Sequence, residues 1–238
     1  MRVILFIVLI GATIAACESE TLPPQNNRLG ISYFPLEVGR YSDYQVETIE
    51  YSLISEPDTQ QYQLREVVAD SFPGQGGEVV YRLERLVRLE ASQEWRLDSV
   101  WTARKSPQRI VVVENNVPIV KLVFPFRPGL EWDANALNSR ELDNYELRST
   151  SPMLLEEINS PLDSNLFINT LTVIQTESQD TIITNIQASE TYAENLGLIY
   201  KKSLRLQYCA SEPECIGLGL LESGRIYRQT LIAYGKEE

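Results

Sequence analysis

From residue 40 to the end of the chain, the pattern of hydrophobic and polar positions has a period of two, not 3.6. Trp95, Leu97, Ser99, Trp101 and Ala103 alternate with Glu94, Arg96, Asp98, Thr102 and Arg104. This predicts a strand with one aromatic and small face and one mostly charged face. Tyr81, Leu83, Val87 and Leu89 alternate in the same way with Arg82, Glu84 and Arg88, with Arg85 an exception on the apolar face. Leu198, Tyr200, Leu204, Leu206 and Tyr208 repeat the pattern, interrupted by Lys202. The runs 110–114 and 117–124 flank Asn115-Asn116, a pair suited to a tight hairpin turn.

Further strands are expected over 40–54, 60–70, 166–178, 181–189 and 225–234. Turn chemistry between runs is found at Pro57-Asp58, Pro73-Gly74, Gln179-Asp180 and Ser223-Gly224. Ser151-Pro152 before Met153-Leu154-Leu155-Glu156-Glu157 predicts one short helix, with serine as cap and proline in its first position. Ser189 to Asn195 predicts a second helical turn. The expected fold is therefore all-β: an antiparallel, strongly curved sheet or partly closed barrel of about ten strands, with one or two short helices.

The first 30 residues follow a different pattern. Arg2 precedes an apolar run from Val3 to Ile10, then small residues as far as Cys17. The run is shorter than the roughly 20 residues a spanning helix needs, so residues 1–16 are expected to be a signal peptide. Ile14-Ala15-Ala16-Cys17 resembles the lipobox of bacterial lipoproteins. That resemblance implies cleavage after Ala16 and acylation of Cys17, making the membrane a partner through a lipid anchor. Residues 17–30, with Pro23-Pro24 and no apolar period, are expected to be the lipidated cysteine and a flexible tether. Residues 31–238 form the expected single β-rich domain. Glu18, not aspartate, follows the cysteine. By resemblance to lipoprotein sorting rules this implies the outer membrane, on its periplasmic face or at the cell surface.

Composition narrows the chemistry. Among 238 residues there is no histidine, which excludes histidine-dependent nucleophile pairs and histidine-ligated metals. A formal charge of -12 argues against a nucleic-acid partner. No phosphate-binding or nucleophile-elbow motif is present, and neither a cofactor nor a metal is expected. Asp163-Ser164-Asn165 reads as a turn, since the rest of a calcium loop is missing. Carboxylates such as Asp133, Asp143 and Glu156-Glu157 leave a carboxylate-dependent glycan hydrolase as an alternative. With 33 acidic residues such pairs arise by number alone.

Sixteen arginines stand against five lysines. Arg82, Arg85, Arg88, Arg96, Arg104 and Arg109 suit either an anionic ligand or a solvated sheet face paired with Glu84, Glu90, Glu94 and Asp98. The paired surface is the expectation. Cys209 and Cys215 frame a short loop with Pro213 and are expected to form a disulfide in an exported protein. Two thiols without histidine make a poor zinc site.

Phe34-Pro35-Leu36-Glu37-Val38-Gly39 and Phe124-Pro125-Phe126-Arg127-Pro128-Gly129 share the pattern F-P-x-x-x-G, which suggests two halves beginning around residues 34 and 124. Tyr33 to Val46, with Gly129 to Asn135 and Tyr192 to Lys201, resembles the opening, middle and late G-L-[IV]-Y-[KR] segments of a broad, functionally uncharacterised group of Bacteroidota lipoproteins. Ser42 departs from the tryptophan of many members. The resemblance implies a partly closed barrel related to half-β-barrel lipoprotein carriers and brings no catalytic residues. The expected function is a noncatalytic binding or structural role in the cell envelope. An envelope protein or a small apolar ligand is the expected partner, and a lipid or lipoprotein carrier with an apolar cavity is a further alternative.

Overall fold

A computed structural model describes residues 30–162, 167–177 and 182–237. The signal peptide, Cys17, the tether as far as residue 29, Asp163-Ser164-Asn165 and Gln179-Asp180 lie outside the described residues. The chain forms β1 (Arg40–Ser52), β2 (Ser55–Pro73), β3 (Val79–Arg88), β4 (Arg96–Lys105), β5 (Arg109–Glu114), β6 (Val117–Val123) and β7 (Leu130–Asp133). These are followed by β8 (Asn144–Ser149), β9 (Pro152–Leu154), β10 (Phe167–Glu177), β11 (Thr184–Ala193), β12 (Gly197–Tyr208) and β13 (Leu221–Lys236). Short 3-10 turns at Ile31–Tyr33, Leu155–Ile158 and Pro213–Cys215 are the helical elements among the described residues.

The strands make one antiparallel sheet in the order β6-β5-β4-β3-β2-β1-β13-β12-β11-β10-β8-β7, with the short β9 pairing only β10. The ends of this path approach each other. The Val120 amide donates to the Ala134 carbonyl and the Trp132 indole donates to the Val120 carbonyl, each at 2.9 Å. The sheet is thus a nearly closed up-and-down barrel of twelve strands, more than the ten expected. The strands beyond those expected are β7 and β8 within the barrel and β9 beside it; β7 and β8 alternate in polarity, but over too few positions to stand out alone.

The two ends of the barrel differ in the side chains that fill them. One is plugged. There the entry segment before β1 brings Phe34 against Tyr192 and Tyr33 edge-on to Phe126, which in turn packs on Phe124. Leu36, Leu83, Ile110, Leu122, Leu147, Leu171 and Val173 complete that apolar core. At the other end lie the turns between β1 and β2, β3 and β4, β5 and β6, and β12 and β13. The Asn115-Asn116 turn forms as expected, with both residues at positive φ. The Cys209–Cys215 disulfide also forms, with Cα atoms 5.7 Å apart, and closes part of the β12–β13 loop.

The two F-P-x-x-x-G segments match in geometry at their glycine ends, although Phe124-Pro125 is a cis bond and Phe34-Pro35 is not. Gly39 and Gly129 both take positive φ just before a strand. The Gly39 amide donates to Val68 of β2 while Arg40 donates to Glu37. In the same way the Gly129 amide donates to Leu147 of β8 while Leu130 donates to Arg127. Each glycine starts a run of strands, β1 to β6 and β7 to β13, that fills one half of the ring.

Several local expectations fail for identifiable reasons. Ser189 to Asn195 is mostly strand, because Glu190, Thr191 and Tyr192 pair with β12. Ser151-Pro152 opens β9 rather than a helix, and the helical turn begins only at Leu155. Pro57-Asp58 lies inside β2, where Pro57 falls in a register irregularity and the actual turn is at Leu53-Ile54. Ser223-Gly224 lies within β13.

Register shifts also undo two of the alternation readings. On β4, Arg85 opposes Ser99 while Leu86 opposes Leu97, so Asp98 is an extra residue. Trp95 and Leu97 therefore leave the face of Trp101. On β12, Thr191 opposes Tyr200 while Tyr192 opposes Leu198, so Leu198 faces inward and Tyr200 outward.

Candidate functional site

The unplugged end contains a cavity of about 930 Å³, near the top of the range typical of ligand sites. Its walls come from five strands. Tyr62 and Leu64 stand on β2, Arg85 and Val87 on β3, and Arg96, Asp98 and Trp101 on β4. Lys201, Ser203 and Arg205 stand on β12, opposite Arg225, Tyr227 and Gln229 of β13. Arg88, Leu89, Gln93 and Glu94 form the rim at the β3–β4 turn. Six of these side chains are cationic and two are carboxylates, in a chain whose overall charge is -12.

Below the mouth lies a second, internal space of about 50 Å³, which shares Arg85, Trp101, Lys201 and Gln229 with the first. Those four residues form the partition between open cavity and closed core. The internal space is lined by charge that sequence reading missed: Glu66, Glu114, Lys121 and Glu190, together with Tyr192.

Glu190 is the centre of this network and its side chain is 2% exposed. Lys121 donates to it at 2.7 Å and the Tyr192 hydroxyl at 2.5 Å, while the Lys201 ammonium lies 2.9 Å away. Burial alone would raise the Glu190 pKa, but the two lysines and the two hydrogen bonds outweigh it and hold the carboxyl well below its ordinary range. Burial likewise works against the Lys121 charge, yet Glu190 and Glu114 at 3.2 Å keep it protonated, with a raised pKa. Tyr192 is pushed well up, by burial and by the Glu190 charge.

Backbone irregularity puts Lys121 there. Ile110 opposes Leu122 while Val111 opposes Val120, so Lys121 is the unopposed residue of a bulge on β6 and its ammonium reaches the interior. Lys201 arrives on β12 directly opposite Glu190.

Glu66 behaves in the opposite sense. Burial raises its pKa, and the Arg85 guanidinium, 3.6 Å from it, offsets this only in part. The Arg85 guanidinium carbon also lies 3.8 Å from the centre of the Trp101 ring. Two N–H groups at this partition, Arg85 Nε and Trp101 Nε1, are buried and have no hydrogen-bond acceptor among the described residues.

The arginines expected as a paired surface divide in two. Arg82 pairs with Glu84 at 3.3 Å and Arg104 with Glu78 at 3.6 Å, as a solvated face would. Arg109 and Arg104 border a shallower depression beside Leu137. Arg85, Arg88 and Arg96 instead line the mouth. The cue was present in the sequence, since Arg85 breaks the apolar alternation of β3 and the structure puts that side chain in the interior. Glu190 carried no comparable signal, because its strand was read as a turn.

Among the described residues no group of three or more cysteines and acidic side chains could hold a metal ion. Also among them, no helix is long and apolar enough to cross a membrane.

No family model and no curated protein matches the chain. Among solved structures, it is similar to a candidate exported protein with a YmcC-like fold from Bacteroides fragilis, at 12% identity and a TM-score of 0.44, over 85% of this chain and 98% of that one.

Proposed function

We propose that this chain is a lipid-anchored cell-envelope protein with a noncatalytic binding role, and that its ligand enters the open end of the barrel. The observation that carries this reading is the 930 Å³ cavity walled by five strands and closed beneath by a charged partition. A rigid sheet with one plugged end and one open end needs no moving part to hold a ligand. Gly30, the first described residue, lies at the plugged end beside Phe126, so the chain coming from Cys17 reaches the body on the side away from the mouth.

Two measurements test this reading. Palmitate labelling of cells should be lost in Cys17→Ala; equal labelling of the variant and the parent refutes the anchor. Native mass spectrometry of the full chain taken from its own envelope should find a small molecule that is absent from Ser203→Trp, whose indole fills the mouth. A ligand-free parent chain, or equal occupancy in the variant, refutes the binding site.

A second reading, the carboxylate-dependent hydrolase, draws support from the opposite pKa displacements of Glu66 and Glu190, a pattern seen in acid and base pairs. Space argues against it. The internal cavity bordered by both residues is about 50 Å³, room for a water or two but not for a sugar ring. Both oxygens of Glu190 are also already engaged, by the lysines and by Tyr192. A purely apolar carrier site fits poorly with six cations in the wall.

A further inference from the structure

We propose that the mouth of the barrel selects a small organic anion, a phosphate or carboxylate borne on a ring-sized body; this rests on the binding role proposed above. The first ground is local charge. Arg205 of β12 and Arg225 of β13 are directly opposed in register, a like-charge pair that costs stability on a bare sheet. Arg225 has one partner, Glu50 at 3.0 Å, and both side chains are more than half exposed. Arg205 and Arg96 have no carboxylate within 4.0 Å among the described residues. Arg85, Lys201 and Arg225 are balanced by Glu66, Glu190 and Glu50, which leaves Arg88, Arg96 and Arg205 facing the two acidic residues of the lining, Glu94 and Asp98, a small positive excess.

The second ground is independent of net charge. The partition presents Trp101 Nε1, a buried donor with no acceptor among the described residues, beside Arg85, whose Nε lies 3.6 Å from Glu66 Oε2, beyond hydrogen-bond distance. Guanidinium groups match the oxygen spacing of phosphate and carboxylate, which makes arginine rather than lysine the favoured lining for such groups. Beneath the partition, Glu66, Glu114 and Glu190 balance Arg85, Lys121 and Lys201, so the floor does not cancel the field of the mouth. Tyr62, Leu64, Val87 and Tyr227 supply flat and apolar wall against which a ring can lie.

The test uses three fluorescent probes on the full chain: 4-methylumbelliferyl phosphate, 4-methylumbelliferyl glucuronide and 4-methylumbelliferyl glucoside. The last two differ only in a carboxylate against a hydroxymethyl group. At least one of the anionic probes should bind about tenfold or more tighter than the glucoside. Comparing phosphate with glucuronide tells which oxyanion is preferred. Raising the salt concentration should narrow the gap. Arg205→Glu and Arg96→Glu, both at exposed positions, should each erase most of it, whereas Lys202→Glu on the outer face should not. Equal binding of all three probes overturns anion selection while leaving the binding role intact. Failure of all three to bind overturns both, and release of free 4-methylumbelliferone overturns the noncatalytic reading.

Discussion

Replacing Glu190 by glutamine keeps the side-chain volume and removes one negative charge from the inside of the barrel. Glutamine can still accept one hydrogen bond, but its amide nitrogen must then face a lysine or the Tyr192 hydroxyl. Removing one partner of a buried ion pair typically costs about 3–5 kcal/mol, largely because the other charge stays buried. Here the lower part of that range applies. Lys121 retains Glu114 at 3.2 Å, and Lys201, about a quarter exposed, can turn towards water in the mouth. About 3 kcal/mol corresponds to a fall in Tm of roughly 6–12 °C for a domain of this size.

Thermal and urea denaturation of the parent, Glu190→Gln, Lys121→Met and the double variant form a cycle that isolates the pair. The double variant should be less destabilised than the sum of the singles, by about 1–3 kcal/mol. A Glu190→Gln protein within about 1 kcal/mol of the parent, together with additive single changes, would show that the network is not held as described.

Four further outcomes follow from the same geometry. Glu66 has a raised folded pKa, so between its unfolded value near 4.5 and that folded value the native state binds more protons and its stability falls as pH rises. Glu66→Gln should therefore gain in Tm relative to the parent as pH rises above about 4.5; a pH-independent difference would show that Glu66 is not shifted upward in the folded state. Leu36→Ala, in the plug and 3% exposed, should cost about 2–5 kcal/mol in urea denaturation, and a cost below 1 kcal/mol would mean that the entry segment does not close the barrel. Gly129→Ala meets no atom within 4 Å, so its expected loss of about 1–2 kcal/mol comes from the positive φ alone, and an unchanged Tm would refute that strain. Reducing Cys209–Cys215 should lower stability by about 2–3 kcal/mol at most, because the loop is short; complete unfolding on reduction would contradict this.

The all-β class was legible because long strands such as β3, β12 and β13 carry enough alternating positions to fix their period. The short β7 and β8 alternate too, but unlike β5, also six residues long, they have no turn pair such as Asn115-Asn116 beside them to mark a hairpin. Cys209 and Cys215 were legible because loop length and count leave few pairings. The mouth was only half legible. Arg85 stood out as a charge on an apolar face, but Lys201 and Arg205 looked like ordinary surface residues, because alternation counted from Leu198 assigns the wrong face once a bulge intervenes.

The bulges do more than spoil that count. Strict alternation across β4, β6 and β12 would place Trp95 and Leu97 with Trp101, and Tyr200 with Leu198. One extra residue on each strand instead separates an apolar core from a charged chamber within the same barrel. The bulge at Asp98 places Arg96 on the wall of the mouth, and that at Lys121 supplies an inward cation. The irregularity at Ile199 lets β12 pass from Leu198 in the plugged half to Lys201 and Arg205 in the open half while each still faces inward. The chemistry of the site therefore depends on sheet register as much as on residue type. Restoring alternation by deleting Lys121 should lose the inward cation and, with it, one of the two lysines that keep Glu190 ionised beneath the mouth.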